Sequence, residues 1–182
     1  HSFAFDVSVW EMWGALLHGG RLVVVPQSML RSPGEFLDLL LEQRVTVLNQ
    51  TPSAFYQLAE ADRTSGELSG DSSVSDRLSL RYVIFGGEAL DLGQLERWYE
   101  RHDDQAIRLV NMYGITETTV HVSYLALDRV FAAESKASVI GRGLPGMGVY
   151  VLDSRLQPAP VGVVGEMYVH GGQLARGYLG RP

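Results

Sequence analysis

The sequence contains no cysteine. That excludes disulfides, a thiol nucleophile and thiolate metal ligands, and leaves the compartment open but compatible with the cytoplasm. Lysine is nearly missing as well, with Lys136 the only one. The remaining basic residues are scattered rather than striped, and the net charge is −6. A polyanion needs a basic face, so nucleic acid is not an expected partner. No apolar run approaches the ~18 residues of a membrane span, and no basic segment followed by an apolar one marks a signal peptide. A membrane partner is therefore not expected. The five histidines (His1, His18, His102, His121, His170) have no spacing that would pair two on one helix around zinc. No G-x-S-x-G elbow supports a serine nucleophile. Internal repeats and low-complexity tracts are absent too.

What is present suits a packed core: 46% of the 182 residues are hydrophobic, enough for one large domain or two small ones. The first two thirds alternate helix and strand signals. Trp10 to Leu17 has apolar residues at helical spacing and stops at Gly19-Gly20. Arg21 to Val25 reads as a β-branched strand closed by Pro26. Ser32-Pro33-Gly34-Glu35 predicts a helix start with a serine cap, proline in the first turn and a capping box, and Phe36, Leu37, Leu40 and Leu41 give that helix its buried face. Val45 to Leu48 is a second strand, followed from Thr51-Pro52 by a helix to about Asp62. The polar stretch from Thr64 to Ser79 reads as a surface loop. Arg81 to Phe85 and Ile107 to Val110 are further strands, with a helix capped by Asp91 and running to about Arg101 between them. Short, apolar strands separated by helices predict an α/β fold: a parallel sheet covered by helices on both faces. After about Asp128 the pattern turns β-rich, with strands at Val149 to Leu152 and Glu166 to Val169. This divides the chain into an α/β unit, residues 1–128, and a smaller β-rich unit, residues 129–182, with the boundary near Asp128 to Ser138.

A literal G-x-G-x-x-G occurs at Gly141, Gly143 and Gly146. A dinucleotide fingerprint has to open a helix, whose N-terminus holds the pyrophosphate, and here a strand follows, so these glycines read as turns. Three other places bear on function. Asp6 sits between apolar residues just before a helix, in Phe5-Asp6-Val7-Ser8-Val9-Trp10-Glu11. It either caps that helix or is a buried carboxylate waiting for a cation, since an unpaired carboxylate in an apolar pocket is costly. Gly86-Gly87-Glu88-Ala89 is either a strand-to-helix turn or a place where small residues let a flat base approach the backbone. Asn111-Met112-Tyr113-Gly114-Ile115-Thr116-Glu117-Thr118-Thr119 combines a ring that could stack on a base, hydroxyl donors for a phosphate and an acid for magnesium. Asp6, Asn49, Gly86 and Asn111 all fall near the carboxyl ends of predicted strands or beside them, where ligands of parallel α/β sheets bind.

Four segments, FDVSVWE (5–11), GGEAL (86–90), NMYGITETTV (111–120) and GEMYVHGGQLARGYLGRP (165–182), resemble in order the motifs of the adenylation domains of nonribosomal peptide synthetases. These belong to the adenylate-forming superfamily. The resemblance covers nearly the whole chain. It implies a flavodoxin-like subdomain followed by a small β-rich one. It also implies a two-step chemistry: an amino acid carboxylate attacks the α-phosphate of ATP, and the acyl group then passes to the phosphopantetheine thiol of a carrier protein. By the same resemblance, Asp6 binds the substrate ammonium and Tyr113 stacks on adenine. Gly87, Glu88 and Ala89 form the opposite wall, Asn111 lies near the adenine amino group, Thr116 contacts the α-phosphate and Glu117 ligates Mg²⁺. Ile115 stands where the family often has proline, whose fixed φ it lacks.

The resemblance assigns the substrate pocket to Asp6, Val7, Trp10, Asn49, Ile84, Gly86, Met112, Val120 and His121. Trp10 limits its depth; Asn49 and His121 offer hydrogen bonds to a hydroxyl; Ile84, Met112 and Val120 offer apolar contact to a methyl. That set resembles the family's threonine signature, except that Val7 replaces the usual phenylalanine and leaves room for a somewhat larger hydroxy or polar amino acid. Implied partners are the peptidyl carrier protein and condensation domain of a parent synthetase, with an MbtH-like helper as an open addition. The chain starts without methionine and reads as an excised internal piece. The family's phosphate loop would precede His1, and the ribose-binding aspartate, hinge and catalytic lysine would follow Pro182. Lys136 matches none of these lysines, so the piece alone is expected to be inactive. Two other functions compete: an acyl- or aryl-CoA ligase, which would gain nothing from a buried Asp6, and a non-enzymatic flavodoxin-like nucleotide-binding module.

Overall fold

The computed structural model describes residues 1–69 and 77–181. Its helices are α1 (Val7–Leu16), α2 (Pro33–Glu42), α3 (Pro52–Ser69), α4 (Glu96–Arg101) and α5 (Arg129–Glu134). Its strands are β1 (Val47–Gln50), β2 (Tyr82–Phe85), β3 (Arg108–Asn111), β4 (Ser123–Leu127), β5 (Arg142–Gly143), β6 (Met147–Leu152) and β7 (Glu166–Gly171). β1 to β5 form one sheet in chain order, and β6 pairs with β7 in a second, two-stranded sheet. β1, β2 and β3 run parallel; β4 and β5 join antiparallel. No described helix is long and apolar enough to cross a membrane.

The parallel register puts Leu48 beside Val83 and Val83 beside Leu109, all buried on one face. Phe36, Leu37 and Leu40 of α2, Phe55 and Leu58 of α3, Leu95, and Trp98 of α4 close over that row. Phe55 is the hub, edge-on to both Phe85 and Trp98 with centroids 4.9 Å from each. Full burial of such a side chain stabilises by roughly 1.5–3 kcal/mol. Side chains alternate along a strand, so the intervening row, Asn49 beside Ile84 and Ile84 beside Val110, faces the other way. This second face is covered only in part: Val47 and Tyr82 stay exposed on it. The expected double cover is thus complete on one side, and α1 meets the other near its carboxyl end.

The structure corrects four local expectations. Arg21 to Val25 forms no strand; Arg21 is held instead by Gln43, through its side-chain oxygen at 3.1 Å and its carbonyl. Ser32 stands at the N-cap of α2 without a capping hydrogen bond, so its capping box is not formed. Residues 64–69 of the expected loop are the last turns of α3, supported by Arg63 bridging Glu60 and Glu67. Residues 70–76 of that loop lie outside the described residues. Finally, a 3₁₀ turn, Leu92–Leu95, comes between Asp91 and α4; Asp91 does cap it, accepting from Gly93 N at 3.1 Å.

Under the core, α3 and α4 are pinned by a buried carboxylate. Asp62 Oδ2 accepts from Arg101 Nε and is bonded to His102 Nε2, each at 3.0 Å, and His102 stacks on Trp98. Burial by itself would push the Asp62 carboxyl up, yet the hydrogen bonds and charges of His102 and Arg101 hold it below the usual carboxylate range.

Candidate active site

Parallel pairing brings the ends of three strands level: Gln50 beside Phe85, and Phe85 beside Asn111. The turns leaving β2 and β3 therefore share one edge, with Gly86 and Met112 next to each other. A Cβ on Gly86 would stand 3.6 Å from the Met112 carbonyl and 3.2 Å from His121 Cε1, so any other residue would press the imidazole back by a few tenths of an ångström. α1 reaches the same edge. Trp10 Nε1 donates to Asn49 Oδ1 at 3.0 Å, and the Trp10 ring stands edge-on to His121 at 5.4 Å. Trp10, Asn49, Gly86, Met112 and His121 are thus gathered from α1, β1 and the turns after β2 and β3. Ile84 lies beside Asn49 in the register, and Val7 and Val120 are half-buried at the start of α1 and immediately before His121.

Asp6 occupies the N-cap position of α1 with helical backbone angles and no capping hydrogen bond. Its Oδ2 is buried with no partner. The capping alternative is therefore not what the side chain does, and a carboxylate oxygen taken from water without a donor is costly. His121 is buried, and its Nδ1 is also unpartnered. Burial pushes the His121 imidazole below the usual histidine range, against the pull of the nearby Asp6 charge. Two unsatisfied polar groups of complementary kind thus lie near each other, with Trp10 and the end of β2 beside His121, bordering the recess between α1 and the sheet edge. An ammonium group would satisfy the first and a hydroxyl or similar polar group the second.

The nucleotide-side candidates are arranged around the segment after β3. Asn111 is buried, its amide donating to the Val139 carbonyl at 2.9 Å, which ties β3 to the chain after α5. Tyr113 is half-buried; its carbonyl accepts from Val122 N at 2.7 Å, folding the loop back on itself. Gly114 is forced by this fold, since a Cβ there would lie 1.9 Å from the Val120 carbonyl. Thr116 and Glu117 are exposed in a 3₁₀ turn, Thr116–Thr118, whose start is closed by Thr118 Oγ1 bonded to both the N–H and the carbonyl of Ile115. Thr119 and Val120 then take φ values of 57° and 70°. Left-handed backbone costs L-residues roughly 1–2 kcal/mol each, and for β-branched side chains it is rare.

Gly87 also has a left-handed φ, 83°, and exposed Ala89 completes that turn. The Glu88 carboxylate is turned away from the recess: it accepts from Ser53 N at 3.1 Å and Ser53 Oγ at 3.0 Å, capping the first turn of α3. Any contribution of Glu88 to a base-binding wall therefore comes from its backbone. Thr116 and Glu117 present oxygen donors, the kind a hard cation takes. One carboxylate with no second acid is a poor cage for a metal by itself, but it fits a magnesium ion held mainly by phosphates. Among the described residues no cluster of three or more His, Asp or Glu gathers.

Two residues that sequence reasoning left without a role touch this loop. Tyr178 donates to Glu117 Oε1 at 3.1 Å, a bond that, with the surrounding negative charge, holds its phenol above the usual value. Gln173 donates to the carbonyls of Thr118 and His121. Both lie in the 165–182 motif, but the contacts span more than fifty residues, so only the motif as a whole pointed to them.

These features match a known family. The family model described as AMP-binding enzyme matches residues 1–179, and the chain belongs to that family. Within it, the chain is similar to nonribosomal peptide synthetases. It is 64% identical over 182 residues to the dimodular nonribosomal peptide synthase of Bacillus subtilis (strain 168), covering all of this chain and 7% of that protein. It is 47% identical over 184 residues to syringomycin synthase SyrB1 of Pseudomonas syringae pv. syringae, of which it covers 28%. Among solved structures, IdnL1 superposes with a TM-score of 0.82 at 28% identity, covering 99% of this chain and 35% of that one. PA1221, an NRPS protein containing adenylation and PCP domains, gives 0.79 at 28% identity, covering 98% and 33%. The chain spans only a small part of the curated relatives it matches, and about a third of the solved ones.

Proposed function

We propose that the protein containing this chain activates an amino acid with ATP, releasing pyrophosphate and forming an aminoacyl adenylate. The phosphopantetheine thiol of a carrier protein then takes the acyl group, forming a thioester and releasing AMP. The observation that carries this reading is the buried, unpartnered Oδ2 of Asp6, an acceptor suited to an ammonium group. It also favours an amino acid over the acyl or aryl acid of a CoA ligase, because an acid without an amino group leaves that oxygen unsatisfied.

In this reading Asp6 receives the α-ammonium, and Val7, Trp10, Asn49, Ile84, Gly86, Met112, Val120 and His121 shape the side-chain pocket. Trp10 spends its N–H on Asn49, which sets the indole as a fixed end wall. The buried His121 Nδ1 is available to a substrate hydroxyl, supporting L-threonine or a similar small hydroxy amino acid. Tyr113 and the backbone of Gly87, Glu88 and Ala89 flank adenine, Asn111 holds that edge, and Thr116 approaches the α-phosphate. Glu117 would hold Mg²⁺, which when bound would supply charge neutralisation at the phosphates. What the chain's own residues do is orient: they bring the carboxylate of an anchored amino acid to the phosphorus and shield the recess from water. We further assign residues 1–128 to an α/β subdomain and 129–182 to a β-rich one, within a cytoplasmic synthetase. There a condensation domain and carrier protein adjoin this region and an MbtH-like helper is compatible with it.

Amino-acid-dependent pyrophosphate exchange by the full-length protein, across all proteinogenic amino acids, tests the reading. Exchange that is strongest with threonine and weak with valine is expected, since a site built to hydrogen-bond a hydroxyl rejects the analogue lacking it by roughly 10⁴–10⁵. Equal exchange with both refutes the threonine assignment, and exchange with no amino acid refutes the activation itself.

A further inference from the structure

The loop beyond Glu117 carries two successive left-handed residues, Thr119 and Val120, neither of them glycine. Such a pair persists only where its surroundings over-determine it. From inside, the Val120 carbonyl occupies the place a Cβ on Gly114 would take, so the two backbones pack directly against each other. From outside, one side chain brackets the pair. Gln173 Nε2 donates to the carbonyl just before it, Thr118 O at 3.1 Å, and to the carbonyl just after it, His121 O. The Gln173 carbonyl in turn accepts from Thr119 Oγ1, and Ala175 N donates to Glu117 O at 2.8 Å. His121 leaves this clamp with its ring edge-on to Trp10 and its Cε1 against Gly86.

The geometry points to Gln173 as a positioning residue for amino-acid selection: through the Thr118 and His121 carbonyls it fixes where the His121 imidazole stands beside Asp6, without reaching the recess itself. This rests on the activation reading above. The amide is chemically suited, because one neutral NH₂ supplies both donors. A carboxylate of the same shape would put an acceptor oxygen in the place of that NH₂, facing two carbonyls with no donor. Misplacing a pocket group by an ångström or so costs selectivity even though every wall of the pocket is still present.

The test is Gln173→Glu in the full-length protein, read by amino-acid-dependent pyrophosphate exchange. Wild-type exchange comes first, and its absence with every amino acid overturns the activation reading and this proposal with it. With an active wild type, the variant is expected to raise the KM of the preferred amino acid by roughly 10–100-fold. The KM for ATP should stay unchanged, and the preference over the competitor nearest in size should shrink. An unchanged amino-acid KM and preference, or an equal rise in both KM values, overturns the positioning role while leaving activation intact. Thr119→Val, which deletes only the outer hydrogen bond, reads the same quantity if Gln173→Glu does not fold. A smaller shift in the same direction supports the proposal, and no shift overturns it.

Discussion

The sheet core and the elements around the recess are built differently. In the core, Phe55, Val83, Phe85, Leu95 and Leu109 are sealed from water. By contrast, α1 has no buried residue, and the β6–β7 ribbon leaves Val149, Tyr150, Val151 and Tyr168 exposed. Yet α1 supplies Asp6 and Trp10, and the segment leaving β7 supplies Gln173 and Tyr178. Rigidity is thus inherited from the sheet ends, while Asp6 and Trp10, to which we assign a part in recognition, arrive on a lightly packed element held by a few polar contacts.

The comparison breaks first in the core. Phe55→Ala is expected to cost about 3–5 kcal/mol in denaturant unfolding, since the hole between Phe85 and Trp98 cannot collapse against a sheet. Asp62→Ala should cost about 3 kcal/mol, because it strips a buried network of its anion. The folded Asp62 carboxyl is depressed, so its contribution is present above its unfolded value and fades as pH falls through the folded one. The loss in the variant, followed by unfolding at stepped pH, should therefore shrink in acid.

At the recess the effects move from stability to binding. Asp6→Asn should weaken amino-acid binding by about 1.5–3 kcal/mol, the worth of a charge-assisted bond, leave ATP binding alone and, by removing an unpartnered buried charge, raise rather than lower the stability of the unliganded fold. Calorimetric titration with each ligand separates the two. His121 reports on pH. Its folded imidazole is depressed, so the ring stays neutral below the ordinary value of about 6.5 and gains its proton only as pH falls through the folded value. Amino-acid KM should rise on the acid side, and His121→Gln should flatten that limb. The smallest effect belongs to the ribbon: Tyr150→Ala, at a side chain 54% exposed, should shift unfolding by about 0.5 kcal/mol.

Legibility in the sequence followed the same division. Short apolar runs gave β1 to β3, because burial on a sheet leaves a strong local signature, and their carboxyl ends placed Asn49, Gly86 and Asn111 on one edge. Asp6 was legible as an anomaly, a carboxylate among apolar neighbours. The Arg21 to Val25 run misled because strand formation needs a partner edge, which composition does not reveal. The extra turns of α3 were hidden under polar residues whose support is an arginine reaching two glutamates. Nothing local announced left-handed angles at Thr119 and Val120, since the residue that brackets them comes from another part of the chain.

Glu88 adds a mechanical consequence. Its carboxylate caps α3 by gripping Ser53, while its backbone belongs to the turn that leaves β2. Displacing that turn would unbolt the first turn of the helix that carries Phe55. The turn after β2 is thereby coupled to the helix that carries the hub of the core, so strain at that turn would be felt at Phe55, whereas α1, with no buried residue, is tied to the sheet end by the bond from Trp10 to Asn49.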